Sequence, residues 1–158
     1  MPYPEPPLAE FIDALRDAAT AATIDLDSAD ERPAAVHRIF DSFVVAGGTM
    51  PAQPATLDAC RHLTAALASP QNGPGPITRL ADVFVPLIPF LHWHVRPPED
   101  GEDPHFRGGH ANVDIIGPSG LERHDEVVVG VSVLGPGVIY PNHSHPPEEI
   151  YVVMTEGE

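Results

Sequence analysis

Lysine is absent from this 158-residue chain, and cysteine and tryptophan occur once each. Each scarcity closes a class of function. The eight cations are all arginine, scattered singly against 23 acidic residues, for a formal charge of −15. With no basic patch to neutralise a phosphate backbone, nucleic acid is not expected as a partner. The same charge disfavours anionic membrane surfaces, and no window approaches the roughly 20 apolar residues of a spanning helix. The start, Met1-Pro2-Tyr3-Pro4-Glu5-Pro6-Pro7, has neither the basic nor the apolar region of a secretory leader, and Cys60 has no cysteine to pair with. A reducing, cytoplasmic setting is therefore predicted. What is plentiful, 42% apolar residues over the length of one domain, suffices for a core without a disulfide or metal staple. The acidic balance mildly favours a cationic or zwitterionic ligand.

Apolar periodicity changes character near the middle of the chain. Leu8, Phe11, Ile12, Leu15, Ala18, Ala19 and Ala22 share one helical face after a proline-rich leader. Pro33 sits where a helix begins, and Val36, Ile39, Phe40, Phe43 and Val44 form a second stripe ended by Gly47-Gly48. Leu57, Cys60, Leu63, Thr64 and Leu67 predict a third helix. Ile77, Leu80, Val83, Phe84 and Leu87 predict a fourth, which Pro86 and Pro89 should stop. Beyond Phe90 the period becomes two. Leu91 to Val95, Val113 to Ile116, Glu126 to Leu134 and Ile150 to Met154 read as strands, and the first apolar part of the Val127–Leu134 run suits a strand covered on both sides or lining an apolar cavity. Arg96 to Gly109 reads as a loop. The class expected is α+β, with a helical part over 1–88 and β structure over 89–158.

The chemistry gathers between Tyr140 and Tyr151. His143 and His145 are two apart, so both imidazoles leave an extended strand on one face. Glu149 follows across a Pro146-Pro147 bend, where its carboxylate can return to the same point and complete a two-histidine, one-carboxylate set with open coordination positions. A His-x-His pair by itself also arises in surface loops. Tyr151 falls on the same side as Glu149, and a nearby cation can bring a phenol below its ordinary value of about 10, making it a candidate general base. Tyr140 can reach the same cavity. Trp93 is a core residue by default and an aromatic face for a cationic ligand otherwise. His92 and His94 lie opposite Trp93 on its strand; His37, His62, His105, His110 and His124 take surface or capping roles by default, and Cys60 that of a small buried hydrophobe.

Gly137, five residues, His143, one residue, His145, three residues and Glu149 resemble the first motif of the cupin superfamily. That motif continues to a glycine six residues on, where this chain has Glu156 with Gly157 one later, so a turn one residue longer is expected. Leu91-His92-Trp93-His94, Ile115-Ile116-Gly117-Pro118, Gly135-Pro136-Gly137 and the Tyr140–Tyr151 window resemble the cupin-type dimethylsulfoniopropionate (DMSP) lyases over roughly 80–158. The resemblance implies helices followed by a small antiparallel β-barrel. It also implies a divalent transition metal (iron, zinc, manganese, cobalt or nickel) and cleavage of DMSP to acrylate and dimethyl sulfide by β-elimination. It further implies His143, His145 and Glu149 as ligands, Tyr151 as the base, and Tyr140 as a residue that positions substrate.

Cupins usually take a further histidine from a downstream second motif, which is absent before Glu158. The barrel is therefore expected to be incomplete at the C-terminus, and the 158-residue chain to bind metal weakly and act poorly. Two other classes stay open: an iron-dependent dioxygenase using the same ligand face, and a non-catalytic cupin that binds a small metabolite. A homodimer through the helical part is compatible with either.

Overall fold

The computed structural model describes residues 7–27, 29–43, 48–51, 53–68, 75–98, 103–142 and 146–155. The chain divides into two compact units, one of Met1–Val44, Ala66–Pro89 and Pro147–Glu158, the other of Val45–Ala65 and Phe90–Pro146.

The first unit is built on helices. In α1 (Leu8–Ala21) Phe11, Ala18 and Ala19 of the predicted stripe are sealed from solvent together with Ala14, which the stripe did not include, while Ala22 is exposed. The helix ends without glycine, because the Thr23 hydroxyl donates to the carbonyls of Ala19 and Thr20 at 3.2 and 3.0 Å and occupies acceptors left over at the last turn. α2 (Arg32–Asp41) starts where the Asp30 carboxylate accepts the Arg32 amide at 2.9 Å, with Pro33 in its first turn. The Arg32 side chain grips the same carboxylate and lowers Asp30 to about 2. Val36 and Phe40 of α2 pack on Ala19 of α1, and Ile12, Leu15, Phe43, Ile150 and Val152 close around them. The 3₁₀ turn over Asp58–His62, which belongs to the second unit, leads into α3 (Leu63–Ala68). α4 (Pro76–Phe84) lies along α1, where Phe84 meets Phe11 at 5.9 Å between ring centres and Arg79 pairs with Asp17.

Four expectations need correction. α4 does not simply stop at its prolines: the chain tightens into a 3₁₀ segment over Val85–Phe90 with Pro89 inside it, because the missing amides break the α pattern while the fixed φ still suits a tighter turn. The expected loop over 96–109 contains α5 (Pro104–Gly109), which begins at Asp103, whose side chain accepts the His105 amide at 2.9 Å. Residues 150–155 form no ladder among the described residues, since Ile150 and Val152 pack on helices instead of pairing in a sheet. β2 (Val129–Leu134) begins three residues later than expected and is covered on one side only: Val129 and Val133 are buried while Gly130 and Ser132 are exposed.

The second unit carries the sheet. β1 (His110–Ile116) pairs antiparallel with β2 from His110 opposite Leu134 to Asp114 opposite Gly130, and an irregularity follows before Ile116 meets Val129. On its other edge β1 takes His94, which exchanges two 2.8 Å backbone bonds with Asn112. Next to that segment Ala55 donates to Leu91 at 3.1 Å and accepts from Trp93 at 2.9 Å. Period-two alternation then fixes the sides: Trp93 is buried, whereas His92 is exposed and His94 half-buried. Ala111, Val113 and Ile115 complete the apolar side together with Leu91 and Val133. The result is an α+β chain whose sheet does not close into a barrel among the described residues.

Candidate functional site

The segment 147–155 is where structure and candidate chemistry meet. Ile150 and Val152 turn into the helical cluster, so Glu149, Tyr151 and Val153 turn outward, and Tyr151 is 64% exposed. The Tyr151 hydroxyl donates to Glu149 Oε2 at 2.9 Å, bringing the predicted carboxylate and phenol into direct contact. One residue earlier, Glu148 receives Arg38 of α2 through two bonds, Nη2 to Oε1 at 2.6 Å and Nε to Oε2 at 3.3 Å. That hydrogen-bonded guanidinium holds the Glu148 carboxyl below the usual carboxylate range and raises Arg38 in turn.

His143 and His145 lie outside the described residues. Among the described residues no three histidine, cysteine, aspartate or glutamate side chains converge on a point that could hold a metal ion. Imidazole and carboxylate are nonetheless the donors a divalent transition metal takes, and Gly137, the first residue of the motif, adopts φ +74°, the left-handed turn that favours glycine.

Tyr140 belongs to the second unit, where its ring meets Phe106 edge-on at 5.3 Å and 79°. Phe106 stacks flat on His110, with 3.9 Å between centres and 7° between planes, and the Arg96 guanidinium lies 5.7 Å from the Phe106 centre. Sequence reasoning missed this cluster and misplaced His110, which is not at the surface but 2% exposed. A carbonyl can only accept, so His110 Nδ1 donates to the Phe106 carbonyl at 2.7 Å. His110 Nε2 and Trp93 Nε1 are buried with no partner among the described residues. The signal was available: Asp103-Pro104 is a helix start, and Phe106 and His110 are then one turn apart. The capping expectation does hold for His124, whose Nδ1 accepts the amides of Val127 and Glu126 at 3.0 and 3.2 Å. Trp93 packs as core at 2% exposure.

A family model for dimethylsulfoniopropionate lyase matches residues 31–158. The chain belongs to the DMSP lyase family. A solved chain described as "Crystal structures of DMSP lyases RdDddP and RnDddQII" superposes with a TM-score of 0.51 at 21% identity, over 83% of this chain and 60% of that one. At that identity the likeness is one of fold, and this DMSP lyase family chain spans about three fifths of the length of its structural relative. No curated protein sequence matches it. No helix among the described residues is long and apolar enough to cross a membrane.

Proposed function

We propose that this chain carries the residues for metal-dependent β-elimination of DMSP to acrylate and dimethyl sulfide. The observation that supports the reading is the hydrogen-bonded Tyr151–Glu149 pair on the outward side of its segment, in a chain of the DMSP lyase family. In the reaction a base takes the proton on the carbon α to the carboxylate, and the C–H electrons become the new double bond. The Cβ–S bond breaks with its pair on sulfur, so the sulfonium leaves as neutral dimethyl sulfide. Tyr151 as phenolate receives that proton and ends as the neutral phenol. In the neutral form that results, the phenol donates to Glu149 at 2.9 Å, which fixes the direction of its oxygen. A carboxylate alone favours the protonated phenol, so the pair needs a compensating positive charge to act as a base. His143, His145 and Glu149 would hold a divalent ion, which when bound would supply that charge and Lewis acidity toward the substrate carboxylate. Tyr140, held edge-on by Phe106, provides an aromatic surface for the sulfonium.

The test is headspace dimethyl sulfide from DMSP, with and without a chelator, for the parent chain and for Tyr151→Phe, Glu149→Gln and His145→Ala. Removing the base should lower turnover by about 100-fold or more, and the chelator and His145→Ala should do the same. Turnover by Tyr151→Phe at the parental rate would sink the base assignment; insensitivity to chelator and to His145→Ala would sink the metal.

A further inference from the structure

The second unit contains a cavity of about 440 Å³ that no step of the proposed elimination uses. Its walls include Arg61 and His62 at the end of the 3₁₀ turn, His105 and Gly108 of α5, and Gly135 and Val138 beyond β2. Among the described residues no acidic side chain lines it, in a chain where acids outnumber arginines almost three to one. Arg61 forms no ion pair among the described residues; its Nε donates to His62 Nε2 at 3.2 Å, which leaves the two terminal nitrogens of the guanidinium for a further acceptor. By accepting that bond, His62 Nε2 orients the arginine.

The glycines say why the space stays open. A Cβ on Gly109 would collide with the Val138 side chain, and one on Gly135 would come 3.4 Å from His62 Nε2 and from the Gly109 carbonyl, so close packing accounts for both. Gly108 has no such reason. It sits within α5, where glycine is unfavourable relative to alanine, at an ordinary φ and with nothing within 4 Å of a Cβ. Any side chain there would enter open space beside the cavity it lines.

The geometry points to a binding site for a small carboxylate anion, held by the Arg61 guanidinium in the fork geometry that arginine offers a carboxylate, with His105 as a further donor and Gly108 keeping the cavity free. This goes beyond the lyase reading and does not depend on it. The probe is acetate, titrated into the full chain while backbone amide NMR shifts are followed at Gly108, Gly109 and Gly135. Acetate should shift these amides saturably, and acetamide, of the same shape without the charge, should not. Arg61→Gln should weaken acetate at least tenfold, and Gly108→Leu should remove the response without lowering the melting temperature. Tyr151→Phe should leave acetate affinity unchanged even where dimethyl sulfide release is lost, so failure of either idea is seen separately. Equal binding of acetamide, parental affinity in Arg61→Gln, or loss of acetate binding in Tyr151→Phe would overturn the site; if Gly108→Leu fails to fold, the acetamide and Arg61→Gln arms still decide.

Discussion

At the scale of single residues, the sharpest constraints are imposed by main-chain oxygens. A Cβ at Gly120 would lie 2.6 Å from the Ile115 carbonyl oxygen and 2.8 Å from the Ile116 Cα, and neither can move aside without disturbing the bonds from the Glu122 amide to the Ile115 carbonyl and from the Gly117 amide to the Glu122 carbonyl. Gly120→Ala is therefore expected to cost roughly 1–3 kcal/mol, measured by urea denaturation. Gly108→Ala, where the Cβ meets nothing, should be neutral or stabilising. The sequence marked both positions as glycine and could not distinguish them, because only the three-dimensional neighbours separate a forbidden Cβ from one that is merely missing. Trp93 was legible for a different reason: alternation with His92 and His94 sets its side of the strand, and that side is the buried one.

Among elements, the Arg38–Glu148 pair ties α2 to the segment bearing Glu149 and Tyr151. Because Glu148 is held below the ordinary glutamate value of about 4.3, its contribution is present above that value and is lost as the pH falls through the depressed one. An NMR titration of Glu148 in Arg38→Gln should return the carboxyl to the ordinary range, while the parent titrates lower. Exposed pairs contribute little to global stability, so the melting temperature of the variant should hardly change. Helices were the most legible elements: α1, α2 and α4 fall on their predicted stripes, since each stripe is what the core requires. The strand expected over 150–154 fails for an instructive reason. Ile150 and Val152 satisfy a period of two whether they face a sheet or a helix pair, so alternation gives the sidedness of the segment without naming its neighbour.

For the whole molecule, charge dominates. With 23 acids against eight arginines, self-repulsion opposes the compact state. Raising sodium chloride from about 10 mM to about 0.2 M, which shortens the screening length to under roughly 10 Å, should raise the melting temperature, and solubility should be lowest near the isoelectric point of about 4.7. A melting temperature that falls with salt would show that attractive pairs outweigh the net repulsion. Family membership was legible from the Gly137–Tyr151 motif, because the spacing of its residues is read from the sequence without any tertiary neighbour. The surroundings of Tyr140 were not, because Phe106, with Arg96 over its ring, reaches it from far along the chain.

The alternation in residues 149–153 has a further consequence. One short stretch has two duties in the proposed reading: its even-numbered members fasten it to the helices, and its odd-numbered members face outward, where Tyr151 meets Glu149. Deleting or adding a single amino acid just ahead of Glu149 would exchange the two sets, burying the acid and the phenol and pushing the aliphatics into water. Anchoring and reactivity therefore share one reading frame, and neither can drift in length without the other.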